Sequence, residues 1–278
     1  MIAHDAYDGG QYVLRLHTPK CAAAATPGSF IHLNCGPDVP LRRPLSIMRA
    51  AGREGWVELL YKIVGHGLAE LAQLKPGATL SCLGPIGGGF SAHEERPRVL
   101  MIGGGVGIPP LVFLAETLAA QQRGSWKPLM LMGSELPFPF ATGAATIDLP
   151  GLPRGATACM PSLEDLGVPN RLASLAGYPG CHAGYVTDLA STWLAGQKPA
   201  QLAEVEIFAC GPELMLRAVA ALARKYALPC QVSLEENMAC AVGGCAGCTV
   251  LAQTPDGPAM KRVCVDGPVF DAATVFTS

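Results

Sequence analysis

The pattern of apolar and polar residues divides the chain into parts of different character. In the first 95 residues, short segments of loosely alternating apolar and polar positions, such as residues 12–16 and 56–64, are separated by turns rich in glycine and proline. Several short strands with such turns are typical of an antiparallel β-barrel or sandwich, and residues 65–74 predict one short helix. We therefore predict an antiparallel β-barrel domain over residues 1–95.

The following residues combine apolar strands with helical patterns. Three short segments predict buried strands: residues 99–102, 128–132 and 206–209. The patterns after the first and the last of these predict helices over residues 110–122 and 213–226. Apolar strands that alternate with helices are typical of a parallel sheet covered on both faces. The prediction is an α/β domain with a parallel sheet over residues 96–226, followed by a small C-terminal segment over residues 227–278.

Composition narrows the class of protein. Only 15% of the 278 residues are charged, against about 25% in an average protein, and the formal net charge is −2. No basic surface is therefore expected to bind nucleic acid. Half of the residues are apolar, which predicts either a deeply buried core or an apolar surface that covers a partner.

The most apolar stretch, residues 99–120, does not predict a membrane span. Glu116 is its only charged residue, but four glycines and two prolines lie within residues 103–110. A helix in the bilayer does not tolerate so many breaks without compensation. The N-terminus has neither the basic start nor the apolar run of a signal peptide, and the 11 cysteines are an odd number. We therefore expect a cytoplasmic protein with reduced thiols.

Four cysteines near the C-terminus have the spacing of metal ligands: Cys240-x4-Cys245-x2-Cys248-x15-Cys264. Thiolates suit zinc or iron–sulfur clusters. Structural zinc sites usually place their ligands in two close pairs, whereas here three cysteines share one loop and the fourth stands alone. This spacing matches a plant-type [2Fe–2S] cluster, and the small residues between the cysteines let backbone N–H groups approach the sulfurs. A zinc site and four inert buried cysteines are the alternatives.

A glycine-rich turn joins the strand at residues 99–102 to the following helix. It contains Gly103, Gly104, Gly105 and Gly107. The N-terminus of a helix with accessible backbone N–H groups suits a pyrophosphate, although the spacing is not that of the standard dinucleotide-binding fingerprint. Residues 210–212 follow the late strand, so both turns fall at the carboxyl ends of strands, where α/β sheets bind ligands. Glu135, after the second strand, would repel a 2′-phosphate and favours NAD over NADP.

A third motif lies in the predicted barrel. Arg43 offers a planar donor group that suits phosphate, Ser46 offers a donor for a ring carbonyl or nitrogen, and Pro44 fixes the spacing between them. Taken alone, an arginine before an apolar strand is most often a solvated strand edge. The motif gains weight from the two motifs that follow it in the chain.

The three motifs, in this order, resemble the ferredoxin–NADP reductase superfamily. The closest resemblance is to the electron-transfer subunits of class 1B dihydroorotate dehydrogenase. It spans nearly the whole chain and is closest over residues 232–240 and 262–270, with further likeness over residues 83–90 and 184–188.

The resemblance implies three cofactors: FAD in the barrel, NAD(H) in the α/β domain and one [2Fe–2S] cluster in the C-terminal segment. The residues implied for FAD are Arg43, Pro44, Leu45, Ser46, Leu60, Tyr61, Lys62, Gly67 and Leu68. Those implied for NAD(H) are Gly103, Gly104, Gly105, Gly107, Cys210, Gly211 and Pro212. The implied cluster ligands are Cys240, Cys245, Cys248 and Cys264. The chain departs from the family at Leu68, where a hydroxyl residue is usual, and over residues 156–181.

The implied activity is electron transfer from NADH through FAD and the cluster to a partner. That partner is an FMN-containing dihydroorotate dehydrogenase catalytic subunit of pyrimidine biosynthesis, in a heterotetramer. No acid–base catalyst is expected in this chain. One alternative is a subunit of an NADH-dependent ferredoxin reductase or of a sulfhydrogenase-type complex. A second alternative, from another class, is a non-catalytic binding module stabilised by zinc.

Overall fold

The computed structural model describes residues 1–36, 38–121 and 126–277. Its N-terminal part contains β1 (Ala3–Tyr7), β2 (Gln11–His17), α1 (Pro19–Ala24), β3 (Phe30–Leu33), β4 (Arg43–Ala51), β5 (Trp56–Lys62), α2 (Gly65–Gln73) and β6 (Cys82–Ile86). The six strands form one antiparallel sheet in the order β1-β2-β5-β4-β3-β6. The predicted antiparallel β domain is confirmed, and α2 is the predicted short helix.

The side chains of strand β5 alternate between the two faces of the sheet. Successive residues of a strand point to opposite faces. Leu59 and Tyr61 therefore enter the core enclosed by the first sheet, whereas Leu60 packs into a second core shared with the following domain. The same alternation holds in β3, where Ile31 and Leu33 pack inside the first core.

The second part of the chain contains a sheet with helices packed on both of its faces. Its elements are β7 (Arg98–Gly104), a 3₁₀ turn (Gly105–Gly107), α3 (Ile108–Ala120), β8 (Leu129–Gly133), β9 (Gly143–Ala144), β10 (Ala158–Cys159), α4 (Pro161–Glu164), β11 (Asn170–Ala173), α5 (Val186–Ala195), α6 (Pro199–Leu202), β12 (Val205–Cys210), α7 (Glu213–Tyr226) and β13 (Cys230–Ser233). Helix α3 begins two residues before the predicted start, because Pro109 and Pro110 fit the first turn of a helix, where no N–H partner is lost. The predicted end at Gln122 lies outside the described residues.

The remaining elements are β14 (Thr249–Thr254), β15 (Gly257–Arg262), α8 (Val263–Asp266), β16 (Val269–Asp271) and α9 (Ala272–Val275). The second sheet has the order β11-β8-β7-β12-β13-β16, with all pairs parallel except the antiparallel pair β13–β16. On one face Leu100 and Ile102 pack with α5 and α7, and on the other Val99 and Met101 pack with α3. This arrangement explains why the strands are apolar throughout.

The sheet continues past the predicted limit at residue 227, because β13 and β16 both follow that residue. Between these two strands the chain forms a cysteine loop and the antiparallel hairpin β14–β15. The domain limits at residues 95 and 227 stay predictions. No helix within the described ranges is long and apolar enough to cross a membrane.

Candidate functional site

A cavity of about 360 Å³ lies where the three parts of the chain meet. Seven of the residues predicted for FAD line it: Pro44, Leu45, Ser46, Leu60, Tyr61, Lys62 and Leu68. Phe30, Val64, Val106 of the glycine turn, residues 233–238 and Pro268 complete the lining. A cavity of a few hundred Å³ with apolar walls and a few polar groups is typical of a cofactor site.

Arg43 lies beside the cavity, at the N-terminus of α2. Its Nη1 donates hydrogen bonds to the carbonyl oxygens of Leu41, at 2.7 Å, and Arg42, at 3.3 Å. A Cβ at Gly67 would lie only 2.8 Å from Nη2 of Arg43. Glycine at this position therefore lets the guanidinium approach the first turn of the helix. The predicted pair of phosphate-binding residues is brought together.

Tyr61 lines the cavity, but most of its ring packs elsewhere. Its ring stacks on Tyr12 with 5.3 Å between centroids, and its hydroxyl lies 2.7 Å from Nε2 of His4. Only 1% of the residue is exposed, and burial raises the pKa of its hydroxyl. The ring belongs to the core of the first sheet, so Leu60 and Lys62, its neighbours on the opposite face, are the side chains directed away from that core.

The glycine turn and residues 210–212 meet at the carboxyl edge of the second sheet. A Cβ at Gly107 would lie 2.4 Å from the carbonyl carbon and oxygen of Cys210, so the two backbones are in direct contact. Gly105 has φ +53° with open space beside it. A β-carbon at Gly104 would meet Sδ of Met215 at 2.6 Å. The structure thus places the two predicted turns side by side, at the N-terminus of α3.

Cys210 itself is fully buried. Burial raises the pKa of its thiol, the nearby Glu235 carboxylate acts in the same direction, and a hydrogen bond from the Ser233 side chain opposes them. The thiol is therefore protonated and has no surface to offer a ligand. Its implied role in binding NAD(H) stays a prediction.

Glu235 is a cavity residue that no motif predicted. It lines the cavity and keeps an exposed surface there, while the surrounding protein raises the pKa of its carboxyl. Phe30, Ser233 and Met238 are further lining residues that the sequence reasoning missed. The resemblance over residues 232–240 marked this stretch without assigning it a role, because residues 233–238 reach the barrel only through the folding of the whole chain.

The four predicted cluster ligands lie in one loop and one short helix. The backbone N–H groups of Val242 and Gly247 donate hydrogen bonds to Sγ of Cys240 and Cys245, at 3.5 and 3.4 Å. Ala241, Gly243 and Ala246 have φ of 55°, 81° and 54°. Left-handed backbone at non-glycine residues is strained and concentrates at functional sites, and here it turns the N–H groups towards the thiols.

The thiols associate in two pairs. The Cys245 thiol helps to lower the pKa of Cys240, and the Cys248 thiol helps to raise the pKa of Cys264, so the thiols of each pair lie close together. Within the described parts of the chain, no group of three or more His, Cys, Asp or Glu side chains converges as one bound ion would require. Two pairs of thiols fit a two-iron cluster, in which each iron takes two of the four cysteine ligands.

The electrostatics of the two pairs differ. The N–H of Val242, with other backbone and thiol donors, lowers the pKa of Cys240 to about 6. Burial raises the pKa of Cys264 to about 11, so this thiol ionises only when a metal binds it. Arg262 stabilises the loop, because its Nη1 donates a hydrogen bond to the carbonyl oxygen of Gly243 at 3.1 Å. Asp266 accepts a hydrogen bond from the Arg262 backbone N–H at 2.7 Å.

The substitution Gly67→Ala tests the phosphate-binding pair. The added methyl group displaces the Arg43 guanidinium, and a lost charge-assisted contact of about 1.5 kcal/mol weakens FAD binding roughly tenfold. Helix propensity favours alanine by up to about 1 kcal/mol, so thermal stability is expected to hold. Flavin titration measures the affinity. Gly155→Ala, with open space around its β-carbon, should leave affinity unchanged; unaltered binding in Gly67→Ala would contradict the assignment.

Comparison with known proteins agrees with this geometry. The family described as the iron–sulfur cluster binding domain of dihydroorotate dehydrogenase B matches residues 235–276. The dihydroorotate dehydrogenase B (NAD(+)) electron transfer subunit of Bacillus caldolyticus is 36% identical over 257 residues, covering 90% of this chain and 86% of the relative. The subunit of the same name from Desulforamulus reducens is 30% identical over 261 residues, covering 93% and 90%.

Solved structures show the same fold. The NADH-dependent reduced ferredoxin-NADP oxidoreductase has a TM-score of 0.77 at 24% identity and covers 99% of this chain and 88% of that chain. The cytochrome b5 reductase domain of Ulva prolifera nitrate reductase has a TM-score of 0.58 at 16% identity, covering 86% and 93%.

The relatives and the fold together define an oxidoreductase subunit that has the fold of these solved reductases and an iron–sulfur cluster binding domain at its C-terminus. The resemblance carried by the three sequence motifs is thereby confirmed. The chain belongs to the family of dihydroorotate dehydrogenase B electron transfer subunits.

Proposed function

We propose that this chain takes electrons from NADH onto FAD and passes them through a [2Fe–2S] cluster to a flavin-containing dihydroorotate dehydrogenase catalytic subunit. The observation that carries the proposal is the cavity of about 360 Å³, whose walls come from the barrel, the glycine turn and the cluster-bearing segment together. A group bound there would contact the glycine turn on one side and the residues that lead into the cysteine loop on another.

When bound, the cofactors would supply the redox chemistry: hydride donation by NADH, both two-electron and one-electron transfer by the flavin, and one-electron transfer by the cluster. The residues of this chain bind and orient. Arg43 and the first turn of α2 hold the phosphates, Ser46 offers a hydroxyl to the flavin ring, and the glycine turn holds the pyrophosphate of NAD(H). The four cysteines hold the iron, and no side chain is required to move a proton.

The cluster-bearing segment also offers a surface to the catalytic partner. Four large apolar residues in it are exposed: Val242 by 67%, Leu251 by 58%, Met260 by 60% and Val265 by 49%. Leu251 and Met260 face each other across the β14–β15 hairpin. Exposed apolar side chains around a redox centre suit a stable subunit interface, which is poor in charge. The proposal includes a heterotetramer located in the cytoplasm.

Charge introduced on the hairpin is expected to weaken this assembly. Leu251→Asp combined with Met260→Glu should lower the affinity for the catalytic subunit at least tenfold, since burying an unpaired carboxylate costs well over 1.4 kcal/mol. Reduction of the flavin by NADH should stay at the wild-type rate. Isothermal titration with the catalytic subunit measures the affinity. Leu214→Asp serves as the control, because Leu214 is 82% exposed on α7, and an equal loss in both variants would contradict the proposed surface.

One other function has an observation in its favour. The solved structure with a TM-score of 0.77 is an NADH-dependent reduced ferredoxin-NADP oxidoreductase, so delivery of electrons to a ferredoxin is the second candidate. The two candidates differ in the electron acceptor and share the use of the cavity and the cysteine loop.

A reconstitution distinguishes them. The anaerobically purified chain should contain two irons and one FAD, and NADH should bleach its flavin absorbance faster than NADPH does. Mixing with the dihydroorotate dehydrogenase catalytic subunit of the same organism should give dihydroorotate-dependent reduction of NAD⁺. Stoichiometric zinc without flavin would refute the proposal, and reduction of ferredoxin without dihydroorotate turnover would favour the second candidate.

A further inference from the structure

One strand of the barrel connects the flavin cavity to the cysteine loop. Strand β3 pairs with the R-P-L-S motif of β4, with Phe30 opposite Ser46 and His32 opposite Pro44. Ile31 and Leu33 fill the core of the barrel, so Phe30 and His32 occupy the opposite face of the strand. That face meets the segment that carries the cluster ligands.

Met238 lies between the cavity and the buried cysteines. It lines the cavity and packs in a small cluster with Phe30, Cys248 and Cys264. Only 7% of the residue is exposed. Among the described residues, Phe30 and Met238 are the two that belong both to the cavity lining and to the buried part of this small core.

His32 holds the backbone of Met238. Its Nε2 lies 3.2 Å from the carbonyl oxygen of Met238, and the histidine is 1% exposed. A carbonyl oxygen only accepts, so Nε2 carries the proton and donates. Burial lowers the pKa of His32, although the carbonyls of Met238 and Arg42 oppose this, and the charges of Arg42 and Arg43 act with the burial. The ring is therefore neutral and has one N–H to give.

We propose that His32 is a positioning residue, which holds Met238 in place and thereby sets the separation between the flavin cavity and the cluster. The inference rests on the proposed function, because a separation between cofactors has meaning only if electrons pass between them. Met238 fills the space between the two sites, and the hydrogen bond from a rigid strand fixes where the cysteine loop begins. His32 touches neither cofactor site directly through its donor atom; it acts through Met238.

The pair His32→Asn and His32→Gln tests the hydrogen bond. A glutamine amide reaches the position of Nε2, whereas the shorter asparagine amide does not. In the cofactor-loaded protein, the rate of amide hydrogen exchange over residues 234–240 is expected to rise about fivefold in His32→Asn. This is the change expected when the net contribution of one hydrogen bond to local stability is lost. The asparagine variant should slow electron transfer from flavin to cluster in stopped-flow spectroscopy, with the NADH-to-flavin step unchanged. His32→Gln should restore both.

Met238 is tested in the same way. Met238→Ala opens the space between the sites and should slow the flavin-to-cluster step and alter the electron paramagnetic resonance spectrum of the reduced cluster, whereas Met238→Leu conserves volume and should not. Met160→Ala is the matched control, since Met160 is 4% exposed in a different core and does not line the cavity.

Wild-type exchange and wild-type electron transfer in both His32→Asn and Met238→Ala, with iron, flavin and NADH reduction intact, would overturn the inference and leave the proposed function standing. Failure of NADH to reduce the wild-type flavin would instead refute the proposed function.

Discussion

Replacing Cys264 with serine is expected to remove the iron from the protein and leave the reduction of its flavin by NADH. Cys264 is 3% exposed and paired with Cys248, so its thiolate cannot be replaced by water or by a neighbouring side chain. A serine hydroxyl is a poor ligand for iron that prefers soft sulfur donors. Iron should fall from two per chain to almost none, and electron delivery to the catalytic subunit should stop.

Cys21→Ser is the matched control for this substitution. Cys21 lies in the core of the barrel and is 2% exposed. Burial raises the pKa of its thiol to about 11, as it does for Cys264. It lies outside the cysteine loop, so iron content should stay at two per chain. Iron and sulfide analysis with visible spectroscopy gives the answer. Full iron content in Cys264→Ser would exclude this cysteine as a ligand.

The second large effect is expected at Gly107, where alanine should destabilise the fold and abolish binding of NADH. The new β-carbon would lie 2.4 Å from backbone atoms of Cys210, and neither backbone can move without shifting the turn or strand β12. Overpacking of this kind costs typically 1–3 kcal/mol, and a backbone contact belongs at the upper end. Denaturant unfolding and the rate of flavin reduction at increasing NADH concentration measure the two consequences.

Gly105→Ala distinguishes the cost of left-handed backbone from the cost of a steric clash in the same turn. Its β-carbon would meet nothing within 4 Å, but φ is +53°, so the expected cost is the left-handed penalty of about 1–2 kcal/mol. Stability should therefore fall less than in Gly107→Ala. Equal unfolding free energies for the two variants would show that the contact with Cys210 is not tight in solution.

The cysteine loop is the part of the site that sequence alone could predict. Its four cysteines lie within 25 residues of one another, and their spacing alone indicates the ligands of a [2Fe–2S] cluster. Left-handed backbone at Ala241 and Ala246 turns the next N–H groups towards the Cys240 and Cys245 sulfurs. Those left-handed turns were not predictable, since alanine rarely adopts them.

The cavity was predictable only on one side. The motif at residues 43–46 and its neighbours on β5 were identified, but the facing wall at residues 233–238 comes from a segment some 190 residues later in the chain. Tyr61 illustrates a second limit. Strand alternation fixes that Leu60 and Tyr61 face opposite ways, yet only the packed sheet decides that the tyrosine ring turns inwards.

The ends of the cluster-bearing segment lie side by side. Ser233 pairs with Val269 in the register of β13 and β16, and the N–H of Leu234 donates to the carbonyl oxygen of Pro268 at 2.9 Å. The intervening residues thus form an insertion into one edge of a sheet that is hydrogen-bonded up to the point of departure. A two-residue hairpin turn could join such strands. The cluster-bearing segment could therefore be gained or lost in a related reductase without any rearrangement of the sheet that bears it.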